Sequence, residues 1–169
     1  MLIVCIAFVV AVSDQVTKQW IRNVFGLGES RPVVDGFFDL TYVRNPGAAW
    51  GMFRDHGWAL IALSIAMLIL MVVFRRSLVS DIWEHRLAYG LLMGGILGNL
   101  MDRIRLNAVT DFLDFYVGDY HWPAFNIADS AICIGVFLYV VSVLWIPGHP
   151  IHEERPITTD STDVYESGH

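Results

Sequence analysis

The chain has 169 residues, 55% of them hydrophobic and 17% charged, with a positive mean hydropathy. It is too apolar for an ordinary soluble fold of this size and short for more than one domain. The net charge of −6 is concentrated beyond Pro147, where Glu153, Glu154, Asp160, Asp163 and Glu166 face Arg155 alone. The acidity therefore implies no particular partner, and the absence of a basic patch excludes nucleic-acid binding.

In chain order, Leu2 to Val12 is apolar and extends past Asp14 and Lys18, which predicts a helix over about 2–24. It lacks a basic leading segment, and a charged pair stands where a cleavage site would lie, so it reads as a retained helix and not a signal peptide. Next, Pro32-Val33-Val34-Asp35-Gly36-Phe37-Phe38 sets an Asp-Gly turn between β-favouring residues, and Leu40 to Val43 continues them. That predicts a small β-sheet on the membrane surface, within about 30–56. Gly57 to Phe74 is uncharged and predicts a second helix (57–74). A short loop with Arg75, Arg76 and Arg86 leads to a third helix (87–104), which ends in Asp102 and Arg103. A longer loop (105–122) precedes a fourth helix over about 124–146. A bilayer core about 30 Å thick needs roughly 20 mostly apolar helical residues. The second and fourth runs satisfy this directly, the other two only by taking polar residues into the membrane. The expected architecture is mainly α, a four-transmembrane-helix bundle over residues 1–147 with an extracytoplasmic β-sheet, followed by a disordered polar tail (148–169). Cys5 and Cys133 lie in apolar runs and are expected to be buried as small hydrophobes. No Cys and His spacing suggests a metal, and no cofactor is expected.

The density of arginines in the 75–86 loop places it in the cytoplasm, with both termini. Raw numbers run the other way, since the opposite loops hold Arg22, Arg31, Arg44, Arg54, Arg103 and Arg105.

Ionisable groups inside membrane segments cost about 2.5–3.5 kcal/mol on insertion scales and so mark function. Here they share one face. Asp14 and Lys18 lie late in the first helix, Asn99, Asp102 and Arg103 end the third, and Asn126 and Asp129 start the fourth. In an up-down topology, the segments with Asn45, Asp111 and Asp114 lie there too. Asp14 and Lys18 are i,i+4 and can neutralise each other. The asparagines can bond between helices or hold a substrate. Asp111 and Asp129 sit in locally apolar stretches. Two carboxylates held close in a low dielectric share a proton and can activate water. Proton pathways and helix locks use single carboxylates of the same kind, so spacing leaves these readings open.

The motifs Asp14-Gln15-Val16-Thr17-Lys18, Asn45-Pro46-Gly47-Ala48-Ala49-Trp50, Gly95 to Arg103, Val109-Thr110-Asp111-Phe112 and Phe125-Asn126-Ile127-Ala128-Asp129 stand in the order seen in the lipoprotein signal peptidase (signal peptidase II) family. The chain resembles that family over about residues 12–135. The resemblance implies an intramembrane aspartyl peptidase of the bacterial inner membrane, with four transmembrane helices, both termini cytoplasmic, a periplasmic β-cradle and a short periplasmic helix beside the site. It implies cleavage of prolipoprotein signal peptides immediately before a diacylglyceryl-modified cysteine. Asp111 and Asp129 match the catalytic aspartates. Asn45, Gly47, Asn99, Arg103 and Asn126 match residues that line the pocket and contact substrate or peptide inhibitors such as globomycin. Asp14, Lys18 and Asp102 match supporting positions. The implied partners are lipid-modified prolipoproteins and membrane lipid, with a monomeric enzyme. Pro46, Trp50 and Thr110 depart from the family pattern, Thr110 standing for a usual Val. Asp114 is the reserve candidate for the first acid.

Three other readings compete. Serine–lysine chemistry would need Lys18, the only lysine, as a base, but its pairing with Asp14 keeps it protonated. A proton-coupled transporter would spread its carboxylates through the membrane depth. A non-catalytic assembly factor leaves the asparagine and arginine cluster without a purpose.

Overall fold

The computed structural model describes residues 1–47, 56–79 and 82–145. The helices are α1 (Leu2–Val24), α2 (Gly57–Val73), the single turn α3 (Arg75–Leu78), α4 (Trp83–Leu106) and α5 (Ile127–Trp145). The strands are β1 (Ser30–Val34), β2 (Phe38–Asn45), β3 (Val109–Val117) and β4 (Tyr120–His121). They form one antiparallel sheet in the order β1-β2-β3-β4. The fold is thus mainly α with a small four-stranded sheet. The later part of the expected cradle (48–55, with Trp50) and the tail (148–169) lie outside the described residues. No short helix stands beside the sheet among the described residues.

Two expectations need correction. The stretch 105–122 is not a loop: α4 runs on to Leu106, and Val109 to Val117 form the central strand β3. Valine and aromatic residues there favour a pleated surface, and the pairing partner is β2, far away in sequence. Cys5 and Cys133 are exposed, not buried, because the apolar runs turn their greasy faces outward.

That outward turn is general. Phe8, Val9, Val16, Leu63, Val73, Phe137 and Leu144 are exposed, whereas the largest fully buried side chains are Lys18, Ile21, Asn126, Thr110, Asp14 and Asp102. All but Ile21 are polar. A water-soluble domain buries the opposite set. Hydrocarbon outside and hydrogen-bonded polar groups inside is the arrangement a bilayer favours. Leu2–Val24 and Ile127–Leu144 are long and apolar enough to cross a membrane, and Gly57–Val73 is a shorter apolar helix. α4 is long but carries charge at both ends, which keeps its mean hydropathy low.

α4 is the central helix, packed between α1 and α5. Glycines on two sides of it permit the close approach that membrane helices use in place of a hydrophobic driving force. A Cβ on Gly94 would stand 2.7 Å from the Ala7 carbonyl oxygen of α1, and one on Gly95 would stand 2.5 Å from the Ala128 oxygen of α5. Both obstacles are backbone and cannot swing away. Gly95→Ala is therefore expected to destabilise the bundle by about 1–3 kcal/mol through overpacking. It should also displace Asp129, because Ala128 precedes it. Thermal unfolding in detergent checks the first effect, and an unchanged midpoint would contradict the tight packing.

The sheet sits on the bundle end where α1 and α4 finish and α5 begins. Ile21, Phe25 and Phe112 form a buried apolar cluster there, with Leu40, Tyr42, Leu113 and Ile127 against it. The Arg31 guanidinium covers the Phe25 ring at 4.5 Å, a cation–π contact at the rim. This cluster fixes β3 over α5 and so sets the position of Asp111 relative to Asp129.

Candidate active site

Asp129 owes its position to the way α5 starts. Asn126 is the residue before the helix, and Asp129 is the third residue inside it. The Asp129 N–H donates to Asn126 Oδ1 at 3.0 Å, and the Asn126 N–H donates to Asp129 Oδ2 at 3.3 Å. This is a reciprocal capping box, which satisfies two orphan donors and places a carboxylate at the positive end of the helix. Asp14 of α1 serves the same helix end, accepting the Ala128 N–H at 3.0 Å.

Asp111 comes from β3, opposite Val43 of β2, while Asn45 at the end of β2 lies opposite Val109. Asn45 Nδ2 donates to Asp111 Oδ2 at 3.1 Å, and Asn126 Nδ2 donates to Asp111 Oδ1 at 2.7 Å. On Asp129, the free oxygen Oδ1 accepts from Asn99 Nδ2 at 2.7 Å. Three amides therefore present NH2 groups to two carboxylates.

Each amide is oriented by a partner that can only donate. Asn126 Oδ1 is held by the Asp129 N–H. Asn45 Oδ1 accepts the Gly47 N–H at 3.0 Å, which gives Gly47 its place in the site. Asn99 Oδ1 accepts the Lys18 ammonium at 2.8 Å and, more weakly, Asn126 Nδ2 at 3.3 Å. Backbone N–H and ammonium groups have no acceptor, so the oxygen end of each amide must face them.

Lys18 is fully buried. It pairs with Asp14 at 2.9 Å and lies 3.7 Å from Asp102. Arg22, one turn further along α1, lies 3.4 Å from Asp102 and donates to Thr110 Oγ1 at 2.9 Å. Asp102 Oδ2 accepts the Thr110 N–H at 3.0 Å. Gln15 Nε2 reaches Asp14, Asp102 and the Gly98 carbonyl oxygen, all within 3.2 Å. Two acids and two bases thus balance beneath the site, and the strand bearing Asp111 is tied to α1 and α4 one residue before it.

The two carboxylates open onto a cavity of about 760 Å³. Asn45, Arg103, Asp111 and Asp129 line it together with Val43, Val109, Trp122, Ile132 and Cys133. The Arg103 charge acts on Asp129 first, then on Asp111 and Asp102. Burial first and the Asp129 charge second raise the Asp111 carboxyl to about 7, a net figure that already includes the opposing effect of the Asn45 and Asn126 bonds. Asp111 is 2% exposed, so its ionised form has little water to stabilise it.

Asp114 is not part of the cavity. It accepts from Thr41 Oγ1 at 3.1 Å and pairs with His121 Nδ1 at 2.9 Å, in the outer part of the sheet. It stands in the same strand as Asp111, three residues further on. Gln15 and Arg22 were missed by sequence reasoning, and Thr110 was noted only as a departure. The spacing Asp14, Lys18, Arg22 was a usable signal, since i,i+4 steps continue one helix face. The charge count by loops assigns Arg22, Arg103 and Arg105 to loops. All three are helical.

The family model described as "Signal peptidase (SPase) II" matches residues 6–145. The chain belongs to the signal peptidase II family. It is 47% identical over 145 residues to the lipoprotein signal peptidase of Syntrophus aciditrophicus, covering 82% of this chain and 89% of that protein. It is 44% identical over 142 residues to that of Oleidesulfovibrio alaskensis, covering 81% and 90%. Among solved structures, a bacterial membrane enzyme obtained by the in meso method at 2.3 Å resolution superposes with a TM-score of 0.76 at 36% identity, covering 84% of this chain and 87% of the other. A second, at 1.9 Å resolution, gives 0.74 at 36% identity, covering 85% and 93%. Signal peptidase II membership places the chain among membrane proteases that process lipoproteins, and it carries the four-helix expectation for the bundle.

Proposed function

We propose that the chain is an aspartic endopeptidase that cleaves the signal peptide of diacylglyceryl-modified prolipoproteins immediately before the lipidated cysteine. The observation that carries this reading is that Asp111 and Asp129, from two different elements, accept hydrogen bonds from one asparagine, Asn126, and line a largely apolar cavity. The ionised member of the pair takes a proton from water as the oxygen attacks the scissile carbonyl. The protonated member gives its proton to the carbonyl oxygen. As the tetrahedral diol collapses, the acid that gave its proton takes one back from a hydroxyl, the C–N bond breaks, and the leaving amine takes the proton held by the other acid. Arg103 and the asparagine amides position the peptide, and Gly47 leaves room beside it. Asp14, Lys18 and Asp102 hold the frame.

In this reading residues 1–147 form one domain with four membrane crossings, the polar third one included, and the protein acts as a monomer without a cofactor. The sheet and site face the periplasm. Arg75, Arg76 and Arg86 lie beside Met1 at the other end, which suits the cytoplasmic side and puts both termini there. The substrate's acyl chains stay in the lipid while the peptide enters the cavity, and a peptide inhibitor such as globomycin would compete for the same space. A transporter would need carboxylates along the whole depth, whereas Asp14, Asp102, Asp111 and Asp129 all stand at one end.

Purified protein in lipid should cleave a diacylglyceryl-modified precursor and leave the same precursor uncleaved when its cysteine is unmodified. Equal cleavage of both would remove the lipid requirement, and cleavage of neither would overturn the assignment. Activity should also fall as pH rises through about 7. The sign follows from the pair needing one proton: below that value Asp111 keeps it, above it both acids ionise and the general acid is lost. The limb belongs to the pair and not to one residue. A flat rate well into the alkaline range would contradict a shared proton.

A further inference from the structure

Lys18 is absorbed into the frame by its ion pair, yet its shortest contact is with a neutral group. Its ammonium is 2.8 Å from Asn99 Oδ1, against 2.9 Å from Asp14 and 3.7 Å from Asp102. An ammonium presents donors only, so it fixes which end of the Asn99 amide faces away. That end, Nδ2, meets Asp129 at 2.7 Å.

We propose that Lys18 is a positioning residue which holds the Asn99 amide with its NH2 toward Asp129, and that in the resting enzyme Asp129 carries the charge of the pair while Asp111 carries its proton. This deepens the peptidase reading and rests on it for the effect on rate. The placement of the proton rests on geometry, with the charge of Arg103 acting in the same direction.

Three observations separate the two acids. Asp129 occupies the first turn of α5 and accepts a backbone N–H there, where the helix dipole favours negative charge. Asp111 sits in a strand, which offers no such field. Asp129 is part-exposed to the cavity, whereas Asp111 is buried. The Arg103 charge acts on Asp129 more than on Asp111. The remaining charged groups around the pair are Lys18 itself from α1, with Asp14 and Asp102 on its far side and Arg22 beyond Asp102. Those four balance one another, so the orientation of Asn99 is the part of the lower network that reaches Asp129 directly. A side chain at position 18 able both to donate and to accept would let the amide turn and present its oxygen to Asp129. An ionised carboxylate there would be repelled, and the proton would move to Asp129.

The test is infrared spectroscopy of the full chain in lipid nanodiscs, following the C=O stretch of a protonated carboxyl between acidic and alkaline buffer. The Asp111→Asn/Asp129→Asn double variant serves as baseline. A titrating band is expected in both single variants, persisting to higher pH in Asp129→Asn than in Asp111→Asn. The reverse pattern would overturn the assignment. This readout needs no cleavage, so it remains decisive even if the peptidase reading fails. For Lys18, the variant Asp14→Asn/Lys18→Gln removes both charges together and avoids a lone buried ion. It should shift the band and the pH profile of kcat, and lower kcat by up to about a hundredfold through misplacement of Asn99, with KM little changed. Asp14→Asn alone keeps the Lys18–Asn99 bond and should keep the band on Asp111. A folded double variant with the parent's band and pH profile would reduce Lys18 to a structural ion pair. Should the double variant not fold, the two single aspartate variants still decide where the proton sits.

Discussion

Asp111→Asn and Asp129→Asn are each expected to lower cleavage of a diacylglyceryl-modified precursor by about 10³-fold or more, with the protein remaining inserted and folded. The size follows from losing general acid–base catalysis, typically about 10²–10⁴-fold, together with the chance of the pair acting as a unit. Folding survives because each change conserves shape and loses at most one hydrogen bond, about 1 kcal/mol. At position 111 both carboxylate oxygens accept from amide donors, so the new NH2 meets one donor head-on. At position 129 the Oδ2 bond to the Asn126 N–H is kept if the amide oxygen takes that place. A gel-shift assay of precursor processing measures the loss, and the thermal midpoint measures integrity. Substantial activity in either variant would remove that residue from the pair. Asp114→Asn is the matched control: it lies in the outer sheet against Thr41 and His121 and should retain activity.

The second large effect belongs to Lys18→Met. The ammonium is fully buried between Asp14 and Asp102, themselves at most 1% exposed. Removing it leaves one carboxylate balanced by Arg22 and another with no cation. Breaking a buried pair from one side typically destabilises by about 3–5 kcal/mol. In addition, Asn99 loses the donor that orients it. The folded yield and the unfolding midpoint in detergent are both expected to drop sharply, and Asp14→Asn/Lys18→Gln should be the milder change because the network stays neutral. A Lys18→Met protein that unfolds with the parent's midpoint would show that the network contributes nothing to stability.

Much of this was legible in the residues, for a physical reason. Apolar length is a strong signal, so α1 and α2 begin and end close to where hydropathy alone puts them, and the extra turn at the start of α4 costs little. Acids and amides inside apolar runs stand out in the same way, which is why Asp14, Lys18, Asn99, Asn126 and Asp129 fall on one face from the sequence alone. The strand β3 was not legible. Its pairing with β2 joins residues more than sixty positions apart, and nothing in Val109 to Val117 states which partner it will meet. Cys5 and Cys133 are exposed because the rule that small apolar groups go inside holds in water and not in a bilayer. Thr110 shows the limit most clearly: its side chain reads as an ordinary exchange for Val, and only the position of Arg22 gives the hydroxyl a partner.

The capping box at the start of α5 makes one acid and one helix boundary the same object. Asp129 stands three residues after Asn126 because that interval closes the reciprocal bonds, and the same interval aims its other oxygen at Asn99. Inserting one amino acid between them would turn the carboxylate by about 100° around the helix axis, away from both neighbours. Side chains further along α5 can drift with the lipid they face, but the count from 126 to 129 is a ruler that the chemistry reads directly.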